Sequence, residues 1–379
     1  MQRYFVKTFG CRASQADGAA LEAGLAGQGM GAAADLAEAD LVVLNTCTVT
    51  ATADDELRQV VRRIHRNRPE ARILVTGCYA QRAPEELAAL PGVEWVVGNS
   101  HKTAIPEIVT GAADYHGEIH VGEIGREFLA APVEDALGDR TRPNLKVQDG
   151  CDYNCSFCTI PLARGHSRSD NIDGVLQNMR KLAAAGIKEI VLTGINLGDF
   201  GKGDNGGKAR TGSFYELIQE MDKEEGIGRI RISSIEPNLL TDEIIAFVTR
   251  SCKFMPHFHI PLQSGSNTIL GLMRRRYKRE LYADRVALIK DLMPHCCIGV
   301  DVIVGFPGET EEDFLETYSF LASLPVSYFH VFTYSEREDT LAATLKEVVP
   351  ISTRQLRNKK LRALSYEKQQ LFELTQQGK

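Results

Sequence analysis

Apolar and polar positions along the chain follow two successive patterns of short buried strands separated by amphipathic helices. In the first, strands are predicted at Tyr4–Thr8, Leu41–Leu44, Ile73–Thr76 and Trp95–Val97. Helices are predicted at Ala13–Gln28, Asp54–Arg66 and Pro84–Leu90. Short apolar runs between helical periods mark βαβ units and a parallel sheet covered on both faces. The pattern fades near Gly122, and Gly125–Pro143 mixes charge, Pro and Gly without a period, as a linker does. A second alternation follows. Its strands are Leu145–Gln148, Glu189–Thr193, Arg229–Ser233, His257–Ile260, Ile298–Val304 and Tyr328–Phe332. The helices between them are Ile172–Ala185, Tyr215–Glu225, Asp242–Ser251, Glu280–Leu292 and Glu311–Leu321. Six strands with helical crossovers suit a barrel or partial barrel, a fold that carries its chemistry on loops at the carboxyl ends of its strands. A polar, charged helix closes the chain at Thr353–Leu374. The expected division is thus a first domain over 1–124, a linker over 125–143, a barrel over 144–352 and a basic helix over 353–379.

Composition narrows the class. With 379 residues, 43% hydrophobic and 25% charged, the chain has the balance of an ordinary globular protein. No apolar run approaches the ~20 residues of a membrane helix, and the start reads directly into a strand rather than an export signal. No membrane partner is expected, and the location expected is the cytoplasm. Nine cysteines then point to metal binding or catalysis rather than disulfides. The net charge of −6 gives no global footprint for nucleic acid, so basic patches must be read locally.

Three thiols lie within eight residues at Cys151-Asp-Tyr-Asn-Cys155-Ser-Phe-Cys158, directly after the first barrel strand. Thiolates hold iron–sulfur clusters, and one short loop can wrap three corners of a cubane. With no fourth cysteine nearby, one iron would keep an open coordination position. A structural zinc site normally pairs two Cys-x-x-Cys units, which this run does not do. Cys11, Cys47 and Cys78 are far apart in sequence, yet each follows a predicted strand. In a parallel sheet such positions share one edge, where loops converge on a ligand. Spacing alone leaves two readings open, a second cluster or three small buried residues. Cys252, Cys296 and Cys297 read as structural.

The Cys-x3-Cys-x2-Cys run with Phe157 before its last cysteine resembles the radical S-adenosylmethionine (SAM) superfamily. Gly10-Cys11, Asn45-Thr-Cys47 and Gly77-Cys78 ahead of it resemble the methylthiotransferases. So do Gln148-Asp-Gly-Cys151, Ile160-Pro-Leu-Ala-Arg164-Gly165, Ser233-Ser-Ile-Glu236-Pro237, His259-Ile-Pro-Leu-Gln263-Ser-Gly265, Met273-Arg-Arg-Arg276-Tyr277, Gly305-Phe-Pro-Gly308-Glu309-Thr310 and Phe332-Thr-Tyr-Ser335. The motifs occur in order over nearly the whole chain.

The resemblance implies an α/β protein with an N-terminal doubly wound parallel sheet domain and a partial (β/α)6 radical SAM barrel. The small C-terminal RNA-binding β-barrel domain usual in the family is not expected in this chain. Two [4Fe-4S] clusters are implied. The one on Cys151, Cys155 and Cys158 would cleave SAM to a 5′-deoxyadenosyl radical. The one on Cys11, Cys47 and Cys78 would carry the sulfur that is methylated and transferred. Residues expected around SAM are Phe157, Thr193, Gly194, Asn196, Ser234, Glu236, Gln263 and Val304.

The expected substrate is tRNA, modified at N6-threonylcarbamoyladenosine beside the anticodon (position 37) to give the 2-methylthio derivative. The loop Leu192–Gly201 and Ser233–Pro237 carry the likeness to that branch. Isopentenyladenosine in tRNA or a ribosomal-protein aspartate are alternative substrates, and a non-catalytic, metal-stabilised RNA-binding protein is the alternative of another class. An electron donor such as flavodoxin or ferredoxin is implied, and DNA is not. Three basic surfaces suit phosphate: Arg58, Arg62, Arg63 and Arg66; Arg274–Arg276, Lys278 and Arg279; and Thr353–Lys379, with seven basic residues against Glu367 and Glu373. One departure from the family is Ser14, where Asn is common. Loop Gly194–Gly212 has seven glycines and is expected to be mobile unless a ligand orders it.

Overall fold

The structure is a computed structural model that describes residues 2–48, 50–111, 118–125, 128, 142–202 and 210–378. Most of the expected linker, and residues 203–209 of the glycine-rich loop, lie outside the described residues.

The first unit runs β1 (Arg3–Thr8), α1 (Arg12–Gly27), β2 (Gly31–Ala32), β3 (Leu41–Thr46), α2 (Ala51–Asn67), β4 (Arg72–Gly77), α3 (Cys78–Arg82), α4 (Pro84–Ala88), β5 (Val93–Val97), α5 (Ile105–Thr110) and β6 (Ile119–His120). Its sheet has the order β2-β1-β3-β4-β5-β6, and every pair is parallel. All six residues of β3, Leu-Val-Val-Leu-Asn-Thr, are buried, as a central strand covered on both faces must be. Val42 and Leu44 pack with Leu57, Val60, Val61 and Ile64 of α2, while Leu41 and Val43 pack with Leu21 and Leu25 of α1. In α2 those apolar residues recur at the spacing of one helix face. Its first turn is capped by Thr50, whose Oγ1 accepts from the Ala53 amide at 3.3 Å. The winding leaves β1 for β2 on one side and returns to β3 on the other. The gap beyond the carboxyl ends of β1 and β3 is therefore a topological switch point, where doubly wound sheets bind ligands.

The second unit runs β7 (Asn144–Lys146), β8 (Gln148–Asp149), α6 (Ile160–Arg164), β9 (Arg168–Ser169), α7 (Ile172–Ala184), β10 (Glu189–Thr193), α8 (Phe214–Lys223), β11 (Arg229–Ile232), α9 (Asp242–Arg250), β12 (His257–Gln263), α10 (Asn267–Leu272), α11 (Arg279–Leu292), β13 (Cys297–Val304), α12 (Glu311–Ser323), β14 (Tyr328–Thr333) and α13 (Ile351–Gln376). Two parallel ladders, β7-β10-β11 and β12-β13-β14, are joined by the parallel bridges Ile230↔Phe254 and Ser234↔His259. Along β13, Ile298, Val300, Val302 and Val304 enter the core under the helices, leaving Asp301 and Ile303 on the opposite face. The capping box of Thr310 and Asp313 starts α12.

The strand expected at Leu145–Gln148 is broken. Gln148 leaves the parallel ladder for a short antiparallel pair of β8 with β9. Its buried side chain explains the break. Nε2 donates to the carbonyls of Asp149 and Gly150 and to Ser167 Oγ, while Oε1 accepts from the amides of Ile195 and Asn196. One amide thus ties the cysteine loop to the loop after β10.

Candidate active site

In the first unit the strand register puts the starts of the three cysteine loops on one sheet edge. Thr8 lies opposite Asn45, Asn45 opposite Thr76, and Thr46 opposite Gly77, so β1, β3 and β4 end level. Cys11 is the N-cap of α1, Cys47 follows β3 directly, and Cys78 opens α3. Glycine is required at two corners. Gly10 has φ +95°, and a Cβ there would lie 2.5 Å from the Cβ of Cys47; Gly77 has φ +98°, and a Cβ there would lie 2.4 Å from the carbonyl oxygen of Thr46.

Beneath this edge lies a buried ion network that crosses from one domain to the other. Arg164 of α6 donates to Asp149 at 3.0 Å and, across the interface, to Asp17 at 2.9 Å and Ser14 Oγ at 3.2 Å. Lys146 reaches Asp17 at 2.6 Å and Asp149 at 3.2 Å, and Lys102 reaches Asp17 at 3.1 Å. Burial opposes the ionised form of Asp17, but Lys102, Lys146 and Arg164 outweigh it and hold the carboxyl well below its ordinary range. Burial lowers Lys102 despite Asp17. The guanidinium of Arg164 is also desolvated, yet Asp149, Cys78, Asp17 and Cys11 together raise it. Lys102, Lys146, Arg164 and Arg168 outnumber the two carboxylates they hold, so the network carries net positive charge beside Cys11 and Cys78. Ser14, the departure noted above, accepts from Arg164 and lies 3.6 Å from Cys11 Sγ. Asn99 donates to Cys78 Sγ at 3.6 Å and to the carbonyl of Ala163 at 2.7 Å, a second link between the domains.

The second trio occupies the loop from Cys151 to Cys158. Each sulfur accepts one N–H: Cys151 from the Tyr153 amide at 3.4 Å, Cys158 from the Ile160 amide at 3.5 Å, and Cys155 from Arg275 Nη1 at 3.2 Å. Burial pushes the Cys151 and Cys158 thiols up to about 12 and raises Cys155. Ionising these sulfurs therefore needs a bound cation, as a metal cluster provides. Among the described residues no three cysteine sulfurs lie within 4.8 Å of one another. Among the described residues, the set of His, Cys, Asp or Glu ligand atoms lying within 4.8 Å of one another is instead His259, Asp301 and His330. There Asp301 bridges His259 Nε2 at 3.0 Å and His330 Nδ1 at 3.2 Å. Burial works against the Asp301 carboxylate, but its bonds to the two imidazoles bring it down to about 2.

A cavity of about 220 Å³ opens beside this loop. Phe157, Cys158, Gln263, Asp301 and Tyr334 line it from the second unit, and Thr50, three residues after Cys47, from the first. The two units are tied here by Arg337, which bonds Thr48 Oγ1 and Asp54, and by Ser335, which lines the cavity and whose Oγ accepts from the Ala51 amide at 3.1 Å.

The other residues expected around SAM divide into two groups. Thr193 Oγ1 and Asn196 Oδ1 are buried polar atoms with no hydrogen-bond partner, as is Ser233 Oγ beside Ser234. Unpaired buried oxygens at the ends of β10 and β11 suit a polar ligand. Gly194 packs against Gln148, where a Cβ would lie 2.9 Å from Oε1. Gln263 sits at an irregularity of β12 with φ +68°. Glu236, expected beside SAM, is held by Arg275. The Val304 side chain is wholly in the core, leaving only its backbone available.

Sequence reasoning placed Arg275 only in a basic surface for phosphate, not beside Cys155. It gave no role to Arg164 and His259, although both lie inside quoted motifs, nor to Lys102, Asp17, Asp301 and His330. The three basic surfaces fare unequally. Arg58 is tied to Asp55 and Glu86, Arg275 to Glu236, Arg279 to Glu316, Arg354 to Glu336 and Arg357 to Glu309, whereas Arg62, Arg63 and Arg66 stay exposed.

Residues 145–321 match the radical SAM superfamily, and residues 3–98 match the uncharacterized protein family UPF0004. The chain is similar to a threonylcarbamoyladenosine tRNA methylthiotransferase MtaB of Bacillus subtilis, 45% identical over 86% of this chain and 72% of the relative. Its similarity to the Aquifex aeolicus protein of the same name is 41% over 98% and 90%. A tRNA-2-methylthio-N(6)-dimethylallyladenosine synthase of Syntrophomonas wolfei is 33% identical over 96% and 82%. Among solved structures, the radical SAM methyltransferase TsrM of Kitasatospora setae shares the fold, with a TM-score of 0.63 over 88% of this chain and 73% of its own, at 16% identity.

Proposed function

Since this chain belongs to the tRNA methylthiotransferases, a radical SAM family acting near the anticodon, we propose that it converts N6-threonylcarbamoyladenosine at position 37 to its 2-methylthio derivative. Two threonylcarbamoyl relatives, at 45% and 41%, stand above the 30–34% of the dimethylallyl relatives and of two further threonylcarbamoyl ones, which supports this substrate. The observation that supports the reading is a cavity shared by the two units, lined by Cys158 of the second and by Thr50 of the first, three residues after Cys47.

In this reading Cys151, Cys155 and Cys158 hold one [4Fe-4S] cluster, and Cys11, Cys47 and Cys78 hold the other. When bound, the clusters and SAM supply the one-electron chemistry that an unactivated C–H bond demands, together with the methylthio group. The chain's own residues position and protect. Arg275 steadies Cys155 while neutralising Glu236. Thr193, Asn196 and Ser234 face SAM with polar atoms, Gly194 admits its close approach, and Phe157, Gln263 and the Val304 backbone form its walls. Arg164 and Lys102 place positive charge under the second cluster. The Asp17 network fixes the separation of the two sites, and such alignment is the main thing a protein adds to cofactor chemistry.

The second unit reads as a partial (β/α)6 barrel over 144–352, after a first domain over 1–124 and a linker over 125–143, with a basic helix over 353–379. Among the described residues no helix is long and apolar enough to cross a membrane. A cytoplasmic location and a flavodoxin- or ferredoxin-type reductant complete the proposal.

Nucleoside mass spectrometry on tRNA from cells with and without the gene tests it. Loss of 2-methylthio-threonylcarbamoyladenosine alone is expected. Loss of the isopentenyl counterpart would move the substrate, and no change in either would discard the tRNA reading.

A further inference from the structure

We infer that a basic groove on the outer face of the first domain, formed by Lys7, Arg62, Arg63 and Arg66, holds the phosphate backbone of the tRNA. The inference rests on the preceding reading that tRNA is the substrate, and adds where the first domain grips it.

These four cations line one depression of about 460 Å³, with Glu56 as the sole acidic residue on its wall and Val60 the sole apolar one. The three arginines are exposed, and no described carboxylate pairs with them or with Lys7. The contrast with their neighbours is sharp. Arg58, Arg68 and Arg72 each hold a glutamate or aspartate. In a chain of net charge −6, carboxylates are plentiful, yet this groove keeps an excess of three positive charges.

Part of the pattern has a local cause, because cations at a helix C-terminus complement its dipole. That explains Arg66, in the last turn of α2. It does not explain Lys7, which comes from β1 and meets the arginines across the groove. Cations converging from two elements around a polar depression suit a line of phosphates better than a peptide, which would need apolar anchors.

Reach agrees. Thr50 lines the cavity, and Arg62 lies twelve positions further along α2, about 18 Å at 1.5 Å per residue. A nucleic-acid strand advances about 3.4 Å per nucleotide, so roughly five nucleotides span that distance. A base seated in the cavity would leave the backbone of its own stem over the groove.

The test compares Arg62→Glu/Arg63→Glu/Arg66→Glu with Lys188→Glu/Lys223→Glu/Arg250→Glu in the full chain. The control triple makes the same charge change at the amino end of the barrel strands, away from the cavity. Binding of an in vitro transcribed tRNA is followed by fluorescence anisotropy across a salt series. The groove triple is expected to bind at least tenfold more weakly than the control and to lose about three from the slope of log affinity against log salt, one per cation. SAM cleavage without tRNA should match the wild type, which shows that the fold and the second unit are intact. A groove triple equal to the control in affinity and slope, with wild-type binding intact, overturns the groove alone. A wild-type chain with no tRNA affinity overturns both the groove and the tRNA reading.

Discussion

Replacing Arg164 with Met should uncouple the two domains. The guanidinium is 1% exposed and makes bonds of 2.9 to 3.2 Å to Asp17, Asp149 and Ser14. Hydrogen bonds to charged groups contribute about 1.5–3 kcal/mol each, and removing one partner of a buried ion pair costs about 3–5 kcal/mol. Here both carboxylates keep Lys146, and Asp17 also keeps Lys102, so the loss should fall near the lower end, about 3 kcal/mol. Trp95, the chain's only tryptophan, lies in β5 and reports the first domain alone. Urea unfolding should give coincident fluorescence and far-ultraviolet circular dichroism transitions in the wild type. In the variant the Trp95 transition should move to lower urea and separate. Acid adds a sign. Asp17 is depressed below its ordinary value of 3.8, so its contribution is complete above that pH and disappears only as the pH falls through the lower folded value. The wild type should thus show the same coupling at pH 5 as at pH 7. Coincident transitions in the variant, with a loss under about 1 kcal/mol, would refute the claim that this network joins the domains.

Three further outcomes are expected. Cys151→Ala should abolish SAM cleavage, whereas Cys47→Ala should keep cleavage and stop methylthiolation; product formed by Cys47→Ala at the normal rate would end the two-site division of labour. Gly10→Ala pays about 1–2 kcal/mol for a left-handed φ and meets the Cys47 side chain; purified protein should lose about half its iron, and full iron content would show that the corner relaxes. Arg275→Met leaves the half-buried Glu236 without its partner and removes a donor from Cys155. SAM affinity measured by calorimetry should fall at least tenfold, with partial recovery in Arg275→Met/Glu236→Gln, a recovery that simple misfolding would not give.

The sequence was most legible where chemistry demands rare residues at fixed places. The cysteine run, the glycines before Cys11 and Cys78, and the strand–helix alternation all follow from local rules, and the registers Thr8↔Asn45 and Thr46↔Gly77 put the expected corners on one edge. It was least legible where pairing over long separations decides. Arg164 and Asp17 are 147 residues apart, and Arg275 and Glu236 are 39 apart; nothing local marks them as partners. For the same reason arginines that cluster in sequence proved to be mixtures of tethered and exposed side chains. Gln148 reads as an ordinary strand residue until its amide is seen joining two loops. Ser14, a departure from the family's usual Asn, is the link from Arg164 to Cys11.

The level ends of β1, β3 and β4 bear on which insertions and deletions this protein can absorb. Side chains alternate along a strand, so adding one residue within β3 would turn Asn45 and its neighbours to the wrong face and carry Cys47 past its corner. The opposite ends of the same strands, before Arg3, Leu41 and Arg72, hold none of the six cysteines of the two sites, and a lengthened connection there costs little. A library of single-residue insertions should therefore divide cleanly along the strand axis, with tolerance at the amino ends and loss of iron at the carboxyl ends. Another parallel sheet of this winding would need three adjacent corners, glycine before two of them and cations such as Lys102 and Arg164 beneath in order to receive the site.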